Sequence, residues 1–81
     1  MNTERAAMRG HLAELKEKQA KLRLLIEGDC RAVRTGLNTA LTAVDDLEIP
    51  LIAQQMDQVT CAWGELAVVN SQIDRLEKEL A

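Results

Sequence analysis

The chain has 81 residues, one Trp, no Phe or Tyr, 47% apolar residues and a net charge of −3. This length holds one domain at most, the near-absence of aromatics argues against a sheet protein, and high apolar content at low net charge excludes a disordered segment. Leu, Ala, Val and Ile mixed with Glu, Lys, Arg and Gln resemble the composition of long helices and coiled coils.

The first residues, Met1 to Arg5, are charged and lack the apolar run of a secretory leader. No stretch approaches the roughly 20 apolar residues that span a bilayer. These readings point to a cytoplasmic protein without a membrane partner. Residues 1–27 are net basic, while 28–49 and 50–81 are net acidic. Such segments attract one another within or between chains, which steers association more than it stabilises it.

Asn2 or Thr3 can cap a helix start, with Glu4 favourably placed in the first turn. An apolar stripe follows at Met8, Leu12, Leu15, Gln19, Leu22 and Ile26, a heptad seam with one polar member. Glu14–Lys18 and Glu17–Lys21 are supporting pairs four residues apart. Taken through Cys30, Val33, Leu37, Leu41 and Val44, the stripe needs one extra residue after Ile26, a stutter at Gly28-Asp29. The first helix therefore either runs on, or breaks at Gly28 with Asp29 capping a second helix. The continuous helix is preferred, because the stripe keeps its face and no Pro intervenes. Gly36, Asn38 and Thr39 soften this region further.

Pro50 suits the start of a helix and disfavours helical backbone at Ile49. Asp45 and Asp46 fit just ahead of a helix N-terminus. The reading is a first helix over about residues 3–46, a turn at 46–49 and a second helix over about 50–80. In the second helix Ile52, Val59, Leu66, Ile73 and Leu80 recur every seven residues. Met56, Trp63, Asn70 and Glu77 are read as the second seam set.

The expected fold is all-α: residues 1–81 form one antiparallel two-helix hairpin of coiled-coil type, dimerising into a four-helix bundle. Folding at residues 47–50 sets Trp63 opposite about Gly36 and Asn70 opposite about Gly28, which makes both glycines packing features. Trp63 is read as a core anchor, with a partner hot spot as the alternative. Asn70 either sets register or lies at a wet seam edge. The same register separates Cys30 from Cys61 by about 10 Å along the axis, too far for an intrachain disulfide. A bridge between chains stays open. The first helix would overhang the second, leaving Met8, Leu12 and Leu15 uncovered, and such a stripe calls for a partner. A second copy of the chain is the simplest one.

Nothing points to an enzyme. No nucleophile and base converge in a hairpin, and no Gly-rich phosphate loop is present. His11, Cys30 and Cys61 are not at metal-ligand spacing, so no metal or cofactor is expected. The functional expectation is a small coiled-coil adaptor or scaffold that homo-oligomerises, most simply as a dimer, and binds partner helices. Its expected interface is Met8, Leu12, Leu15, Leu22, Met56, Val59, Trp63, Leu66, Asn70 and Ile73. The alternative is a nucleic-acid-associated regulator using Lys16, Lys18, Lys21, Arg23, Arg31 and Arg34 within residues 16–34. Interleaved acids and the lack of stacking aromatics weigh against it.

Overall fold

In the computed structural model, which describes residues 2–81, the chain is an antiparallel helical hairpin. Helix α1 spans Asn2–Gly36 and helix α2 spans Ile49–Leu80. The rod measures 63 × 16 × 15 Å. No strand occurs among the described residues, and neither helix is long and apolar enough to cross a membrane.

Helix α1 passes through Gly28 and Asp29 without a break. Its seam keeps strict heptad spacing there, because half-buried Asp29 occupies the position and Cys30 is exposed. There is thus no stutter. The seam reads Met8, Leu12, Leu15, Gln19, Leu22, Ile26, Asp29, Val33 and Gly36, each buried or half-buried. The expected stutter rested on preferring apolar Cys30 to charged Asp29.

The first helix ends at Gly36, ten residues before the expected boundary. Asn38 is the local cause. Its side-chain oxygen accepts from the Ala40 N–H at 3.0 Å, and its carbonyl accepts from Leu41 and Thr42 at 3.1 and 3.2 Å. This is the Asx geometry by which Asn competes with helix. Residues 37–48 then form the connection, with one 3-10 turn at Val44–Asp46. Helix α2 starts at Ile49, which is helical despite preceding Pro50. Glu48 is the non-helical cap residue, and its carbonyl accepts from Ile52 N–H at 3.0 Å.

An earlier end to α1 moves the register. Ile52, not Trp63, faces Gly36, an offset of about three turns from the expected pairing. Asn70 faces Gln19 and not Gly28. At the open end Arg5 donates to the Leu80 carbonyl at 2.8 Å. The helices are nearly equal, at 35 and 32 residues, so the expected overhang does not exist. Leu15 lies in the main core cluster with Val69 and Ile73, and Leu12, Leu22 and Leu76 pack against it.

The two glycines differ accordingly. A Cβ on Gly36 would sit 3.1 Å from the Ile52 side chain, so this residue permits close approach. A Cβ on Gly28 would meet nothing within 4 Å, so Gly28 is not a packing feature. We expect Gly28→Ala to stabilise the hairpin by about 0.5–1 kcal/mol, the helical cost of glycine relative to alanine. Gly36→Ala should gain less or lose stability. Thermal melts of the two variants compare them directly.

Candidate functional site

The α2 seam is Ile52, Gln55, Val59, Ala62, Leu66, Val69, Ile73, Leu76 and Leu80, all buried or half-buried. The expected first set is in place. The expected second set is displaced by one residue: Gln55, Ala62, Val69 and Leu76 turn inward, and Met56, Trp63, Asn70 and Glu77 stand beside them, exposed. A heptad permits a step of three or four from Ile52, and both were open. Counting would have decided it, since the inward set holds three apolar residues and the other set two.

Two ion pairs mark the flanks of the seam. Lys16 and Lys18 leave α1 on opposite sides of it. Lys16 reaches Glu77 at 3.8 Å, and Lys18 reaches Glu65 at 2.8 Å. All four side chains are about half exposed, so each pair contributes little to stability, well under about 1 kcal/mol. Their information is geometric. Stepping back by sevens from Glu77 gives Asn70, Trp63, Met56 and Ile49 along one flank.

That flank is apolar toward the connection. Trp63 is 66% exposed, Ile49 50% and Met56 44%. Trp63 is therefore not a core anchor. Leu37, Leu41 and Val44, at the connection, are exposed as well. Toward the open end the same flank turns polar. Gln19 Nε2 donates to Asn70 Oδ1 at 2.7 Å, joining the polar member of the α1 stripe to the polar member of the α2 row. This bond places Asn70 at the exposed edge of the seam, in polar contact with the facing helix.

The ten residues expected at an interface divide into two groups. Leu15 and Ile73 are buried inside the hairpin, and Met8, Leu12, Leu22, Val59 and Leu66 are half-buried along its seam. Met56, Trp63 and Asn70 face solvent. Ile49 belongs with them and was missed, because it was assigned to the turn.

The basic stretch does not form one face. Lys16, Lys18 and Lys21 are each paired with a glutamate, Lys21 with Glu17 at 3.2 Å. His11 is exposed, 4.0 Å from Glu14. Among the described residues no group of His, Cys, Asp and Glu could hold a metal. Cys30 and Cys61 are exposed free thiols. Cys61 borders a shallow cleft with Leu25 and Glu65, whereas Cys30 continues the row of Lys16 on the other flank. The flanks separate them, not an axial offset.

Compared with family models, curated proteins and solved structures, the chain matches none.

Proposed function

We propose that the protein is a protein-interaction module: a two-helix coiled coil that acts as a small adaptor or scaffold, homo-oligomerising and docking partner helices. The observation that carries this reading is the exposed row Ile49, Met56 and Trp63 beside the seam. A solvated helix flank gains nothing from such residues. Spaced by seven, they form a second apolar stripe suited to another helix. Tryptophan is also the side chain most enriched at energetic centres of interfaces.

The thin core supports the same reading. The buried apolar residues are Leu15, Ile52, Ala62, Val69 and Ile73 alone among the described residues, and none of them is fully buried. A chain this small with so little buried is marginal by itself, and association supplies what is missing. A cytoplasmic location belongs to the proposal.

A photo-crosslinking amino acid placed at Trp63, with exposed Ser71 as the control position, tests it in the native host. We expect discrete adducts from position 63 and none from position 71. Absence of any adduct at 63, with the protein folded and present, would overturn the reading.

A further inference from the structure

We infer that the flank opposite the Ile49, Met56 and Trp63 row carries a second docking surface, an acidic groove between α1 and α2 that takes an arginine-rich amphipathic helix of a partner protein. This goes beyond the row, since the two surfaces share no residue.

The groove follows from the heptad. From the Lys18–Glu65 pair, steps of seven give Leu25 and Ala32 on α1, and Gln58 and Leu51 on α2. Two clefts lie along this line. One is bordered by Leu22, Leu25, Gln58 and Cys61, and the next, toward the connection, by Gly28, Ala32, Gly36 and Leu51. From Leu22 to Gly36 they run about 21 Å along α1, or about four helical turns. Leu25 and Leu51 are 52% and 47% exposed. The α1 wall beside them is Gly28 and half-buried Ala32, and a Cβ on Gly28 would meet nothing within 4 Å. Small residues at such a place let a third helix approach closely, and the two leucines give its apolar stripe something to cover.

Charge selects the occupant. Five carboxylates line the two clefts, on Asp29, Asp46, Glu48, Asp57 and Glu65, against one cation, Arg31. Glu65 is paired with Lys18, and the other four make no ion pair among the described residues. Asp29 is the informative one. It is half-buried at a seam position where the heptad calls for an apolar residue, and holding a carboxylate there without a counter-ion costs stability. A guanidinium laid across the groove supplies that counter-ion, and its fork matches a carboxylate. The same field repels phosphate, so neither nucleic acid nor an anionic lipid surface fits. A second copy of the chain does not supply the ligand either. Its basic helix is α1, whose apolar stripe is already turned against α2.

The two exposed thiols report the site, because Cys61 borders the groove and Cys30 lies on the opposite flank. The probe is a synthetic amphipathic helix with leucine at heptad spacing and flanking arginines. Its controls are the same peptide with glutamate for arginine, a scramble of equal composition, and spermine. We expect the arginine peptide to bind, more weakly as salt rises, and to shield Cys61 but not Cys30 from a thiol-reactive reagent. The controls should not shield. Asp57→Lys, at an exposed position, should weaken binding about tenfold or more at low salt, with the helical spectrum unchanged. Asp29→Asn should weaken binding too while melting no lower than the wild type, a split that a purely structural carboxylate would not give.

Absence of binding overturns the inference, as does binding that leaves Cys61 unprotected or protects both thiols equally. Equal shielding by spermine or the scramble would mean that the groove reads charge alone, and overturns the helical ligand. Indifference to Asp57→Lys overturns the electrostatic assignment. None of these results bears on a crosslink from position 63, so the groove and the row stand or fall separately.

Discussion

Leu15→Glu should unfold the hairpin. Read from the sequence, this substitution falls on an overhang and should disrupt assembly while sparing much of the hairpin. The structure reverses that. Leu15 is 7% exposed and forms the main cluster with Val69 and Ile73. Losing its burial costs about 2–3 kcal/mol, and a carboxylate brought into that cluster without a partner adds more. A core this small rarely supplies more than about 3–5 kcal/mol in total. The expected outcome is loss of most of the far-ultraviolet helical signal at 25 °C, at high as well as low protein concentration. A folded monomer would instead mean that Leu15 belongs to a surface between chains. Trp63→Glu is the contrasting case: its side chain is largely solvated, so within an isolated, monomeric hairpin its effect on stability stays within about 0.5 kcal/mol.

The helical hairpin was legible because three signals agree. Heptad spacing from Met8 to Ile26 gave the first helix, the unbroken recurrence from Ile52 to Leu80 gave the second, and Pro50 marked where the second begins. What was not legible traces to two residues whose roles depend on context and to the choice between two adjacent rows on α2. Asn38 can sit within a helix, and only its hydrogen bond to Ala40 reveals the stop at Gly36. That early end shifted the register, and with it the apparent overhang, the partner of Gly36 and the place of Trp63. Asp29 was passed over for Cys30 because a carboxylate is an unexpected seam residue. The exposed row was present in the sequence as Met56, Trp63 and Asn70, but it was assigned to the wrong side of the α2 surface. Spacing by sevens identifies rows well, and choosing which of two adjacent rows points inward takes the further count of their apolar members.

Asp29→Leu should be the most stabilising single change. The buried cluster lies toward the open end, at Leu15, Val69 and Ile73. Toward the connection the seam includes Asp29 and Gln55, and its buried members are only Ile52 and Ala62. A leucine at this half-buried position recovers about half of a full burial, roughly 1 kcal/mol. It also removes a residue with poor helix propensity, worth up to about 0.5 kcal/mol. The melting temperature should therefore rise by roughly 5–10 °C, at about 4–8 °C per kcal/mol for a domain of this size. No rise would mean that the Asp29 carboxylate holds the connection half together by a contact the seam does not show. The polar half of the seam and the exposed apolar row occupy the same end of the rod. If self-association shores up that end, wild-type stability should fall on dilution. The Asp29→Leu hairpin, with its own seam repaired, should lose less, and melting both proteins across a concentration series measures the difference.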